Sequence, residues 1–347
     1  MYPALAVLSA LTAKVKDVKT LWVGGEGGME EALVKRQGIP FKSIPAAGVH
    51  GVSVVALPGN LLQLGRGVLA AYGILNDFKP DVLFFTGGYV AVPMALAGWN
   101  IPTLLYVPDI EPGMALKSLT GFADFIAVTT EQSQKFFNKQ VHETGYPLRA
   151  DLALWNRQTA HQHLGISGKY PILLVFGGSK GAHSINLAVL NNLQALLEKF
   201  EIIHLSGEPD WQLVTDARNE LPLKLAARYH VMPYLHEMGA ALAAADLVVS
   251  RAGASSLGEY PLFALPAILV PYPHAWRYQK VNADYLARRG AAIMLRDDRL
   301  NDELLVTLNV LLENPNKIKA MRAAMFELSH PRAAEKIASA LIQLAGE

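Results

Sequence analysis

The sequence predicts an α/β protein built from two parallel-sheet domains, and three observations carry that prediction. At 347 residues the chain exceeds what one hydrophobic core usually serves, so two domains of roughly 150 residues each are expected. It is 51% hydrophobic and only 18% charged, a balance suited to sheets buried on both faces and unsuited to disorder. Short apolar runs that end in glycine or a turn alternate with helix-period segments, which is the pattern of strand–helix–strand crossovers.

Taken in order, the first set of strand candidates is TLWVGG (20–25), DVLFFTGG (81–88), IPTLLYVP (101–108) and FIAVTT (125–130). The second set is PILLVFGG (171–178), EIIHLSG (201–207), YHVMPYL (229–235), LVVSRAG (247–253) and PAILVPYP (266–273). Between strands, MEEALVKRQG (29–38) and SINLAVLNNLQALLEKF (184–200) place apolar residues at helical spacing and read as helices. The polar, proline-containing stretch ETGYPLRADLALWNRQ (143–158) separates the two sets and puts the domain boundary near Tyr146–Arg149.

Charge and residue usage narrow the function. A formal net charge of +1 supplies no field to recruit nucleic acid. With no cysteine, disulfides, thiolate metal sites and cysteine nucleophiles are excluded, and a reducing cytoplasm is expected. No apolar run reaches the ~18–20 residues that cross a bilayer, and the opening residues lack a basic leader. The expectation is a soluble chain without a signal peptide.

Ligand sites of such sheets belong at the carboxyl ends of strands, beside helix N-termini. Gly177-Gly178-Ser179-Lys180-Gly181-Ala182-His183 follows the strand PILLVF and opens a helix. It is neither a Walker loop, since Gly181 follows Lys180, nor a dinucleotide fingerprint. A second small-residue turn, Arg251-Ala252-Gly253-Ala254-Ser255-Ser256-Leu257-Gly258-Glu259, follows LVVS. Exposed N–H groups at both turns suit a diphosphate, or serve plain strand-to-helix turns. Glu259 lies about one helical turn further on, where a carboxylate accepts two hydrogen bonds from adjacent ribose hydroxyls, or simply complements the helix dipole. Gln279 and Asn282 are three apart, so both can face one cleft, and amides read a sugar's hydroxyl pattern.

These segments resemble glycosyltransferase family 28. SRAGASSLGEYPLFALPAILVPYPHAWRYQKVNADYL is similar to the family's donor-site segment, and PALAV, TGGYVAVP, TGYPLR, FGGSKGA and HLSG occur in the family's order. The resemblance implies a GT-B fold, two Rossmann-like domains facing a cleft. Residues 1–147 with a C-terminal helix at about 331–347 would be the acceptor and membrane-side domain, carrying Gly87, Gly88 and Tyr89. Residues 148–330 would bind the donor, UDP-N-acetylglucosamine. There Ser179, with Gly178 and the amides of Gly253, Ala254 and Ser255, would hold the diphosphate. Glu259 would bind the ribose, the backbone near Leu235 the uracil, and Gln279 and Asn282 the sugar; Arg149 and Arg251 complete the donor set. The implied reaction is inverting transfer of N-acetylglucosamine to a polyprenyl-pyrophosphoryl-muramoyl-peptide in peptidoglycan synthesis, at the cytoplasmic membrane face, with no metal or cofactor.

The sequence departs from the family pattern in two places. The family opens with a strand and a glycine loop ending Gly-Gly-His just before the segment that here reads Met1-Tyr2-Pro3-Ala4. The expectation is an N-terminally truncated first domain that lacks this strand and loop. Where the cell-wall enzymes carry His-Glu-Gln-Asn, this chain has Tyr106-Val107-Pro108-Asp109-Ile110-Glu111-Pro112-Gly113. Asp109 and Glu111 become candidate general bases there, or solvated acids of a proline-rich loop. From Gly51 to Asn76 the only charge is Arg66 among dense apolar residues, which reads as a membrane-docking patch or as a buried helix. Two alternatives follow from the departures: a GT-B transferase with another lipid or glycan acceptor, and an inactive UDP-sugar-binding paralogue.

Overall fold

Strand burial explains the architecture. β4 (Thr103–Val107), β8 (Glu201–Leu205) and β10 (Leu247–Ser250) are buried at every position, which requires cover on both faces. In the computed structural model, which describes residues 1–28, 30–46 and 57–346, every strand pairing among those residues is parallel. The chain divides into two compact units, Met1–Pro147 with Arg332–Glu347, and Leu148–Pro331.

In the first unit, β1 (Trp22–Gly25) pairs with β2 (Phe41–Ile44) as one small sheet. A separate four-stranded sheet runs β3 (Leu83–Phe85), β4, β5 (Phe125–Val128), β6 (His142–Glu143). No ladder joins β1 to β3 among the described residues, so each keeps an unpaired edge. The helices Leu57–Phe78 and Ala91–Ala97 cover one face, placing Ala71, Ile74, Met94 and Ala95 against Leu83, Phe85 and Leu105. On the other face Val7 and the C-terminal helix Ala333–Leu344, through Ile337 and Leu341, pack on Leu104, Tyr106 and Ala127.

The second unit holds one six-stranded sheet in the order β12-β11-β10-β7-β8-β9. Its remaining strands are β7 (Ile172–Phe176), β9 (Tyr229–Met232), β11 (Ala267–Leu269) and β12 (Ala292–Met294). The helix Arg157–Leu164 that leads into it is delimited by local chemistry. The Asn156 side chain accepts the Thr159 N–H at 3.0 Å, the Thr159 hydroxyl reciprocates, and Gly165 ends the helix with φ 66°.

One expectation needs correction. The segment 184–200 is two helices, His183–Asn191 and Leu193–Lys199, and not one. Asn192 sits between them with ψ 12°, and its side-chain amide donates to the Ala188 carbonyl, the local competition that disfavours asparagine inside helices. Three short strands, β2, β6 and β12, were not evident in the pattern, because runs of two to four residues carry little periodicity.

Candidate functional site

Strand order places the site in the second unit. From β7 the chain winds through β8 to β9 on one side, and from β10 through β11 to β12 on the other. Open parallel sheets bind ligands where the winding reverses, outside the carboxyl ends of the two strands at that point. Those strands are β7 and β10, paired from Leu173↔Leu247 to Phe176↔Ser250. The turn Gly177–Ala182 leaves the first and the turn Arg251–Gly258 leaves the second.

The first turn is held from below. Gly181 has φ 74°, and a Cβ there would lie 2.1 Å from the Ser206 carbonyl oxygen, so only glycine fits. Gly178, Ser179 and Lys180 stand exposed above it. Asn186, fully buried in the following helix, donates to the Ser206 carbonyl at 2.9 Å and to Asp210 at 2.7 Å. Asp210 also bonds His183 Nδ1 at 2.8 Å. The turn after β8 is thereby tied to the start of the helix that follows β7.

The second turn carries the carboxylate. Gly253 caps a short 3-10 turn over Ala254–Leu257, and Glu259 begins the next helix. Burial pushes the Glu259 carboxyl up to about 7, against the Ser255 hydroxyl and the Arg149 guanidinium, which favour its charged form; Asp151 opposes them.

A cavity of about 590 Å³ is lined by Trp155, His236 and others, including Arg149 and Asp151, the two residues whose charges act on Glu259. A second cavity, about 550 Å³, includes Lys19, Pro40, Lys42 and Phe78 in its lining. It lies at the amino ends of β1 and β2, the wrong end of the strands for a ligand site, so topology favours the first. Among the described residues no group of three or more His, Asp or Glu side chains is placed to hold a metal ion.

Two models of one glycosyltransferase family match this chain. The glycosyltransferase family 28 N-terminal domain matches residues 1–128, and the family's C-terminal domain matches residues 172–337. The chain belongs to glycosyltransferase family 28. It is 38% identical to a UDP-N-acetylglucosamine–N-acetylmuramyl-(pentapeptide) pyrophosphoryl-undecaprenol N-acetylglucosamine transferase of Roseiflexus sp. (strain RS-1), over 97% of this chain and 91% of that protein. It is 37% identical to the protein of the same name in Desulforudis audaxviator, over 100% and 96% of the two chains. The crystal structure of Acinetobacter baumannii MurG is similar with a TM-score of 0.79 and 25% identity, covering 99% of this chain and 95% of that one. The fold is GT-B, with two Rossmann-like domains.

In this family 28 chain the expected donor residues are not all placed alike. Ser179, Gly178, Gly253, Ala254, Ser255 and Glu259 border the β7/β10 crevice, and Leu235 lies in the turn leading from β9 to the helix Met238–Ala244. Gln279 is partly exposed and accepts the Tyr272 N–H at 2.8 Å. Asn282 does not face open space: it is fully buried and donates to the Ala252 carbonyl at 3.1 Å, supporting the second turn from beneath. Arg251 is also turned inward. Its guanidinium is committed to Asp297, to the Ser184 hydroxyl and to the Val270 carbonyl.

In the first unit, Gly87, Gly88 and the exposed Tyr89 form the turn between β3 and the helix Ala91–Ala97. Asp109 is partly buried, and Glu111 is only 5% exposed, so the picture of two solvated acids does not hold. Their loop is anchored: Ser133 donates to the Ile110 carbonyl at 2.9 Å and Thr129 to the Pro108 carbonyl at 2.8 Å. Sequence reasoning missed Ser184, Asp210 and Asp297. Asp297 stands 46 residues beyond Arg251, and no spacing rule links the two.

Proposed function

We propose that this chain transfers N-acetylglucosamine from UDP-N-acetylglucosamine to a polyprenyl-pyrophosphoryl-muramoyl-peptide, with inversion and without a metal ion. One observation carries the reading: at the winding reversal between β7 and β10, two small-residue helix starts flank a crevice, and the Glu259 carboxylate stands at the second of them. Helix-start N–H groups supply positive potential for a diphosphate. Glu259 accepts the ribose hydroxyls, the Leu235 backbone meets the uracil, and Gln279 reads the sugar. The relatives named for this reaction match nearly the whole chain, which supports the donor and acceptor together.

The chemistry then needs a base and a stable leaving group. Asp109 takes the proton from the acceptor hydroxyl, its oxygen bonds C1 of the sugar, and the C1–oxygen bond to the diphosphate breaks with its electron pair going to UDP. Amide N–H groups of the two turns stabilise that charge in place of a cation. The first unit is the acceptor side. Exposed Leu62, Leu69 and Tyr72 on the helix Leu57–Phe78, with Trp99 beyond the helix packed against it, support docking at the inner membrane face. Val54 and Val55 of that apolar run lie outside the described residues. No helix among the described residues is long and apolar enough to cross a membrane.

The test is a transfer assay with radiolabelled UDP-N-acetylglucosamine and the lipid-linked acceptor in detergent, with excess chelator. Retained turnover and a β-linked product support the reading. Loss of activity restored by a divalent cation rejects metal independence, and UDP-sugar binding without transfer favours the inactive paralogue.

A further inference from the structure

We propose that Arg251 is a positioning residue: paired with Asp297, it locks the two walls of the β7/β10 crevice in register instead of touching the donor's diphosphate. The proposal rests on the donor reading above. Four loops at the carboxyl ends of the sheet meet at this one guanidinium. Arg251 itself follows β10. Its Nη2 donates to Ser184 Oγ, in the helix after β7, at 2.8 Å, and its Nη1 donates to the Val270 carbonyl, after β11, at 3.2 Å. Nη1 also pairs with Asp297, after β12. Ser184 closes the ring by donating to the same Asp297 oxygen at 2.7 Å.

The Arg251 and Asp297 side chains are 10% and 21% exposed, so the pair works in a poorly screened setting where both partners must be satisfied. The Tyr272 ring, 5.2 Å from the guanidinium carbon, lies against it as well. A cation neutralised by a largely buried carboxylate and forked onto two further loop groups adds little charge to a phosphate. What it adds is geometry. Strand spacing fixes β7 and β10 relative to each other, and each turn is braced from its own side by Ser206 or Asn282, but neither brace reaches across from one turn to the other. This network joins the helix start of one turn to the first residue of the other. The N–H groups of Ser179 and Ala254 are then presented at a constant separation, which is what a diphosphate requires.

The experiment compares UDP with uridine binding, by calorimetry and NMR titration, in wild type, Arg251→Gln, Asp297→Asn, Ser184→Ala and the Arg251→Gln/Asp297→Asn double variant. Each single charge variant should weaken UDP by about tenfold to a hundredfold, the range for a charged hydrogen-bond pair. Uridine, which lacks the diphosphate, should stay within about twofold, and the double variant should be no worse than either single, as for residues acting as one unit. Ser184→Ala, the mildest cut, should lose several-fold in UDP affinity, and it reads the network even if a charge variant folds poorly. If Asp297→Asn keeps or tightens UDP binding while Arg251→Gln loses it, Arg251 touches the diphosphate directly and the proposal is overturned. Equal losses for UDP and uridine also overturn it, since a general scaffold defect acts on both. A wild-type chain that binds neither ligand would instead reject the donor reading, and the clamp with it.

Discussion

Asn186 and His204, both fully buried, share a hydrogen bond of 2.9 Å from imidazole Nε2 to the amide oxygen. The direction is settled by their other partners: the Asn186 amide nitrogen already donates to Ser206 and Asp210, so its oxygen is the acceptor. His204 is therefore the neutral tautomer protonated on Nε2, and its Nδ1 accepts the Tyr229 hydroxyl at 2.7 Å. The glycine turn after β7 rests on this chain through Ser206.

That tautomer has a consequence for acid stability. Burial pushes the His204 imidazole down to about 3, well under its unfolded value of 6.5. Between those two values the unfolded chain binds the extra proton and the folded one does not, so stability falls as pH drops from 6.5 toward 3, by at most about 1.4 kcal/mol per pH unit. His204→Gln should flatten that slope in urea titrations at pH 4 to 7. A slope identical to wild type would return the acid sensitivity to other groups.

Glu259 behaves in the opposite sense. Its folded, ligand-free carboxyl is raised to about 7 from 4.5, so from pH 4.5 to 7 the folded state holds a proton that the unfolded state releases, and stability declines as pH rises through that window. Glu259→Gln should be more stable than wild type at pH 8, yet bind UDP more weakly by about 1–3 kcal/mol, the worth of a charged hydrogen bond. Wild-type UDP affinity should rise as pH passes 7. Affinity unchanged in the variant would remove Glu259 from the donor site.

Two glycines of one turn should respond differently to alanine. At Gly181 the new methyl meets the Ser206 carbonyl, while at Gly178, φ 94°, nothing lies within 4 Å. Gly178→Ala carries the left-handed penalty alone, about 1–2 kcal/mol. Gly181→Ala adds a displaced backbone and should lower the melting temperature further and abolish UDP binding. Equal melting temperatures for the two variants would contradict this account of the turn.

Asp109→Asn should reduce turnover by about a hundredfold or more, the usual worth of a general base, with UDP affinity unaltered. Ser133 and Thr129 hold the neighbouring carbonyls in either variant, so the loop itself should keep its shape. A fully active Asp109→Asn enzyme would pass the role of base to another group.

Membrane docking through the helix Leu57–Phe78 should depend on apolar contact more than on charge, because Arg66 is the only charged residue before Asp77. Leu69 and Tyr72 are 76% and 63% exposed. Replacing both by Gln should weaken co-sedimentation with anionic vesicles by about tenfold or more, at roughly 1.5–3 kcal/mol per buried large side chain, with weak dependence on salt. Undiminished sedimentation would locate the membrane contact elsewhere.

Fold class, most strands and the glycine turns were legible because each leaves a local mark. Strand burial writes continuous apolar runs, crossovers write helical periods, and a backbone that must approach a ligand closely demands small residues. The break at Asn192 left a weaker mark, one side chain competing with the helix ladder. Partnerships across strands left none. Nothing in the spacing of residues 184, 251 and 297 says that one guanidinium gathers all three, that Asn282 turns into the protein, or that Glu111 is buried in an anchored loop. The sequence by itself determined which segments become strands and where the chain turns sharply, since hydrophobic period and backbone freedom are properties of neighbours along the chain. Only the tertiary structure decided which polar groups meet, because parallel crossovers bring residues dozens of positions apart to the same end of a sheet, and burial there leaves each charge with no alternative but the partner it finds.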